Sequence, residues 1–90
     1  MPRRQVTIRN ELGLHARAAT RLVECANRFH SEVWLSSERR RVDGKSILGL
    51  LTLAAGPGMQ VEIETRGADA REALNALHKL IASGFGEPEA

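Results

Sequence analysis

The chain contains no tyrosine, one tryptophan and two phenylalanines, so aromatics make up only 3% of its 90 residues. Single-strand nucleic-acid surfaces interleave basic side chains with stacking aromatics, and that scarcity argues against one here. The lone cysteine, Cys25, excludes an internal disulfide and any cysteine-cluster metal site. Set beside Leu22 and Ala26, it reads as a small, reduced, partly buried filler rather than a reactive thiol. No apolar run approaches membrane-spanning length, and Met1-Pro2-Arg3-Arg4 is not followed by the apolar stretch of a secretory signal. A cytoplasmic protein with no membrane insertion is therefore expected. His30 and His78 have no carboxylate or second histidine at ligand spacing, so neither a metal nor any other cofactor is implied.

What is present is ordinary for a globular protein: 42% hydrophobic and 27% charged residues in a chain long enough for one modest core. One domain over residues 1–90 is expected. The net charge is +2, and Arg39-Arg40-Arg41 is the obvious basic cluster. It reads as a solvated turn between two strands. A basic balance also attracts acidic protein partners.

Periodicity predicts the order strand, helix, strand, strand, helix, strand, helix. The first strand spans about Gln5 to Arg9 with Val6 and Ile8 on one face, and the first helix about Ala16 to Asn27. Val33 and Leu35 alternate with Glu32, Trp34 and Ser36 in a second strand, and a tight turn leads to a short third one, Arg40 to Asp43. Ser46 opens a second helix whose stripe is Ile47, Leu50, Leu51 and Ala54, and Gly56-Pro57-Gly58 stops it. Val61 and Ile63 alternate with Glu62 and Glu64 in the fourth strand, Gln60 to Thr65. Asp69 is a good cap for the last helix, whose stripe is Ala70, Ala73, Leu74, Leu77, Leu80 and Ile81. Gly84 ends it, and residues 85–90 are expected to fray. Alternating strands belong to a sheet covered on one face only. The expected architecture is α+β, an open-faced β-sandwich of four mostly antiparallel strands with three helices on one face (βαββαβα). Trp34 would point to the uncovered face.

The informative run is Gly13-Leu14-His15-Ala16-Arg17. It places His15 at or beside the N-cap of the first helix, where unpaired backbone N–H groups and the positive helix end favour an anion. Arg17 adds a forked donor shaped for phosphate oxygens. A nucleophile and a phosphate cradle coincide, which points to a histidine that carries a phosphoryl group; the plainer alternative is an exposed loop histidine. Ser46, preceded by Gly44-Lys45, is either an ordinary N-cap serine or a phosphorylation site at the second helix end. Leu48 lies off that helix's stripe, which suggests an exposed docking patch of Ile47, Leu48 and Leu51. If the fold places that patch near the start of the first helix, it borders His15.

Taken together, Gly13-Leu14-His15-Ala16-Arg17-Ala18-Ala19 and, about thirty residues later, Gly44-Lys45-Ser46-Ile47-Leu48-Gly49-Leu50 resemble the histidine-containing phosphocarrier (HPr) family of the bacterial phosphoenolpyruvate-dependent phosphotransferase system. The resemblance runs from about Val6 to Ile81. It implies that His15 is the phosphoryl acceptor, at Nδ1, and that Arg17 steadies the group and assists its transfer. It implies that Ser46 is a regulatory serine, a target for an HPr kinase/phosphorylase. Ala16, Thr20, Ile47, Leu48 and Leu51 match the surface that the family presents to enzyme I and to downstream acceptors of the IIA type. A carrier of this kind is a monomer that needs no cofactor, and it is not a free-standing enzyme. One departure stands out, since the family usually has proline where this chain has Ala18. Leu12 looks more like the nitrogen-related carriers and Gly44-Lys45-Ser46 more like those of the kinase-regulated sugar system, so the branch stays open.

Other readings remain beside this one. A regulatory binding module could work mainly through Ser46, with transfer at His15 weak or silent. An acylphosphatase-like enzyme would need an asparagine beside Arg17 to position water, and that loop offers none.

Overall fold

Alternation along the strands sorts side chains onto two faces, and the computed structural model, which describes residues 2–87, shows what each face meets. The elements are β1 (Arg3–Thr7), α1 (Ala16–Ala26), β2 (Glu32–Ser36), β3 (Arg41–Asp43), α2 (Ile47–Leu53), β4 (Gln60–Arg66) and α3 (Ala70–Ala82), followed by a 3-10 turn at Gly84–Gly86. The strands form one sheet in the order β1-β4-β2-β3, with every pairing antiparallel. This is the expected open-faced arrangement. Val33, Leu35, Val61 and Ile63 face the helices and are almost fully buried with Leu22, Leu50, Leu77 and Ile81.

The first strand starts earlier than apolar periodicity suggests, because Arg3 and Arg4 pair with Glu64 and Ile63 of β4. Polar residues continue a ladder when their side chains find partners on the open face. Arg3 lies 3.7 Å from both Glu62 and Glu64, and Arg41 lies 3.3 Å from Glu64. The Arg41 guanidinium also sits 4.3 Å from the centre of the Trp34 ring. Arg41, the last of the basic cluster, stays half-exposed while it makes these contacts. Trp34 does lie on the uncovered face, but half-buried beneath a cation.

Helix α2 is rotated relative to the expected stripe. Its buried residues are Leu50 and Leu53, while Ile47 and Leu51 are partly exposed and Leu48 is 77% exposed. Ala54 does not face the core at all; it ends the helix in the left-handed conformation (φ 52°) before the glycines are reached. Helix α3 buries Ala70, Ala73, Leu74, Leu77 and Ile81, as its periodicity requires.

Asp69 precedes α3 but makes no side-chain cap bond. Its carboxylate instead accepts 2.9 Å bonds from the His30 and Ser31 amides and a further bond from the Ser31 hydroxyl. Three donors of the loop after α1 thus take up the carboxylate. The expected fraying after Gly84 does not begin there: Phe85 is buried in the core and Glu87 is half-buried against the first loop. Residues 88–90 of that expected tail lie outside the described residues.

The Ser31 hydroxyl, first, and the His30 amide hold the Asp69 carboxyl at about 2, below its ordinary 3.8. A lowered carboxyl contributes stability that is complete above the unfolded value and is lost as pH falls through the folded one. Asp69→Ala is therefore expected to lower the thermal midpoint by a few degrees at pH 7, with the difference shrinking between pH 4 and pH 2; an equal difference at pH 2 and pH 7 refutes the assignment. Ala54→Gly should stabilise by about 0.5 kcal/mol in chemical denaturation, because a left-handed alanine costs ~1–2 kcal/mol and glycine's extra unfolded-state freedom returns only part of the gain.

Candidate functional site

Gly13 makes the site's first turn possible. Its φ is 67°, and a Cβ there would stand 2.6 Å from the Ala55 carbonyl oxygen, so both conformation and space demand glycine. The Asn10 carbonyl accepts from the Gly13 amide at 3.1 Å, and the Leu14 amide donates to Ala55 O at 2.8 Å. Leu14 is buried, which anchors the residue next to His15 in the core. The turn is thus held against the loop between α2 and β4.

His15 is the N-cap of α1, in extended conformation (φ −92°, ψ −175°). Its Nδ1 accepts from the Arg17 amide at 3.2 Å, and its carbonyl accepts from the Ala19 amide at 2.8 Å. An imidazole nitrogen here takes the role usually filled by a serine or aspartate oxygen. The other ring nitrogen, Nε2, lies 2.9 Å from Glu87 Oε1 and 3.1 Å from Oε2. An amide can only donate and a carboxylate accepts, so these partners fit a ring whose lone pair is on Nδ1 and whose hydrogen is on Nε2. The His15 side chain remains 27% exposed. Arg17 is exposed, and among the described residues its guanidinium has no ion-pair or hydrogen-bond partner.

Glu87 has further company. Asn10, fully buried, donates from Nδ2 to Glu87 Oε1 at 3.1 Å and to Gly13 O at 2.7 Å, while its Oδ1 has no partner among the described residues. Arg21 donates to Phe85 O and lies 4.0 Å from Glu87 Oε2. The His15 hydrogen bond, first, and the Asn10 amide hold the Glu87 carboxyl below the usual carboxylate range.

Leu14, Asn10, Phe85 and Glu87 escape a reading by periodicity. Each acts through the meeting of the first loop with the chain end, which no local pattern encodes. One local signal was available for the tail, since a large apolar residue flanked by glycines, Gly84-Phe85-Gly86, suits a tight turn better than a frayed end.

The residues expected to dock partners are all exposed, on α1 and α2. Ala16 and Thr20 are exposed on α1, with the Thr20 hydroxyl bonded to Ala16 O at 2.8 Å. Ile47, Leu48 and Leu51 form the exposed apolar residues of α2. The His15 turn leans on Ala55 at the end of α2, while Lys45, beside its start, donates to Phe29 O beyond the end of α1. The helices thus run in opposite directions. Of the patch residues, Leu51 is the one nearest along α2 to the end that meets the His15 turn, and Ile47 lies at the far end. Ser46 is the N-cap of α2, and its Oγ accepts from the Gly49 amide at 3.1 Å. Over seven residues of helix, Ser46 stands ~10 Å from the end that meets the His15 turn.

Outside the site, burial and, second, the Arg4 charge hold His78 below the ordinary histidine value. Among the described residues no group of three metal-ligating side chains is assembled, and no helix is long and apolar enough to cross a membrane.

Comparison with known proteins agrees with this geometry. Residues 2–83 match the family described as PTS HPr component phosphorylation site. A phosphocarrier protein HPr from Cupriavidus necator is 52% identical over 89 residues, covering 99% of this chain and 100% of that one. One from Neisseria meningitidis serogroup A is 49% identical over the same shares. The crystal structure of HPr-C-His from Thermoanaerobacter tengcongensis, 39% identical, superposes with a TM-score of 0.92 over 97% of this chain and 98% of that one. The class is that of the small phosphocarriers of the phosphotransferase system. Within it, the chain belongs to the HPr family.

Phe85→Ala should cost about 3 kcal/mol in chemical denaturation, as removal of a buried phenylalanine does. A change below about 0.5 kcal/mol, the size usual for surface substitutions, would show that the segment after Gly84 is not part of the core.

Proposed function

We propose that His15 accepts a phosphoryl group at Nδ1 from phosphorylated enzyme I and passes it to a downstream acceptor of the IIA type. The observation that carries this reading is the position of Nδ1, 3.2 Å from the Arg17 amide at the first turn of α1. The Nδ1 lone pair attacks phosphorus, the donor's N–P bond breaks, and Nε2 keeps its hydrogen. The three equatorial oxygens of the group in flight carry the charge. The amide of Arg17, the positive helix end and the exposed guanidinium of Arg17 would stabilise it. Neither metal nor nucleotide is required of this chain.

Exposed Ile47, Leu48 and Leu51, with Ala16 and Thr20, supply the apolar surface on which donor and acceptor dock. The basic balance of the chain favours acidic surroundings on those partners. Ser46 is the regulatory position, phosphorylated by an HPr kinase/phosphorylase. A phosphate there keeps the acceptor role at the helix start and adds negative charge beside Ile47 and Leu48. The carrier works as a cytoplasmic monomer.

His15→Ala should take no acid-labile label from enzyme I and phosphoenolpyruvate, and Arg17→Ala should slow acceptance about a hundredfold, the usual cost of losing one donor to developing charge. Normal labelling of His15→Ala sinks the reading. Label from ATP alone, retained in that variant and lost in Ser46→Ala, would favour a regulatory module instead.

A further inference from the structure

Glu87 is spaced 72 residues from His15 and yet meets its ring at 2.9 Å, and the local backbone shows how much structure serves that meeting. Gly84, Phe85 and Gly86 all adopt left-handed φ values, 73°, 57° and 73°. For phenylalanine this conformation is costly, and it persists only where surrounding contacts over-determine it. Burial of the Phe85 ring and the Arg21 bond to its carbonyl are those contacts. The chain reverses, the Glu87 amide closes on Gly84 O at 2.9 Å, and the carboxylate comes down on Nε2. Asn10 on one oxygen and Arg21 near the other fix its orientation.

We infer that Glu87 is a positioning residue for the phosphoryl acceptor: it holds the hydrogen on Nε2 and the lone pair on Nδ1, and it stabilises the cationic ring formed when Nδ1 bonds phosphorus. This inference rests on the carrier reading and adds a role to it. When Nδ1 uses its lone pair to form the N–P bond, the donor's N–P bond breaks and the ring acquires a positive charge, with the Nε2 hydrogen retained. A carboxylate already hydrogen-bonded to that N–H meets the charge without rearranging, the division of labour that a buried aspartate has with histidine in hydrolase triads. The carboxylate takes no proton in the step. In the reverse direction it favours the same cationic ring as leaving group, so acceptance and donation both pass through a state that Glu87 stabilises.

Only 9% of the Glu87 side chain is exposed, but glutamine has the same shape and keeps an oxygen that accepts from Nε2–H and Asn10, so Glu87→Gln is expected to fold with a melting temperature close to that of the parent. Three measurements on the full chain test the role. In the unphosphorylated protein, the Nε2–H proton of His15 should give a slowly exchanging NMR signal, lost in Glu87→Ala. In single-turnover acceptance from phosphorylated enzyme I, Glu87→Gln should reduce the maximal rate at least tenfold with KM unchanged. Glu87→Asp should recover part of that loss. If the parent chain takes no label, the carrier reading falls, and this inference with it. If the parent takes label and Glu87→Gln takes it equally fast, only the role of Glu87 is overturned. A raised KM at unchanged maximal rate also overturns it, since that result assigns Glu87 to docking.

Discussion

Every α-helix begins with amide N–H groups that have no carbonyl of their own to meet, and in α1 one of these is met by the imidazole of His15. The rest of the site is arranged around that contact. It orients Nδ1 toward the helix start, which leaves Nε2 directed at the chain end. It also requires an extended backbone at residue 15, which in turn needs the sharp turn at Gly13 and the anchoring of Leu14 in the core. An ordinary serine cap would satisfy the helix equally well, but a hydroxyl at this place offers no nitrogen nucleophile. The cap and the candidate acceptor are one group, so the local stability of α1 and the geometry of His15 depend on each other.

Ala18 bears on the same turn. The family usually has proline there, and in this chain the alanine is fully buried in the first turn. The bonds of that turn run from Arg17 N to His15 Nδ1 and from Ala19 N to His15 O, and among the described residues no acceptor takes the Ala18 amide. Proline at this point removes a donor that the helix does not use. Alanine keeps the donor and is itself a good helix former, so its presence leaves the orientation of His15 intact.

The sheet and helices were legible because one face carries the pattern: Val33 and Leu35, Val61 and Ile63, and the stripe of α3 alternate or recur at the period of their elements. The misreadings arose where another interaction outweighed periodicity. Arg3 and Arg4 extend β1 through cross-strand partners rather than through apolar residues. Asp69 prefers the amides of His30 and Ser31 to those of its own helix. In α2, a seven-residue helix, Leu50 and Leu53 are buried, and two turns of leucine-rich sequence hold too little contrast to show which side faces inward. His15 and Arg17 could be placed at a helix start because caps and turns are local chemistry. The floor of the site, Asn10, Phe85 and Glu87, could not, since it depends on which distant segments the completed fold lays together.

That floor has a bearing on how the protein is made. The ring of His15 touches Glu87 across 72 residues of chain. Contacts of such separation carry the largest loop-closure cost and depend on the intervening sheet for their geometry. During synthesis the turn with His15 emerges 72 residues ahead of Glu87. A nascent chain that has not yet reached Glu87 therefore presents His15 with its ring held on one side only. A product stalled before Glu87 lacks the second contact altogether, so it differs from the folded chain at the imidazole ring itself.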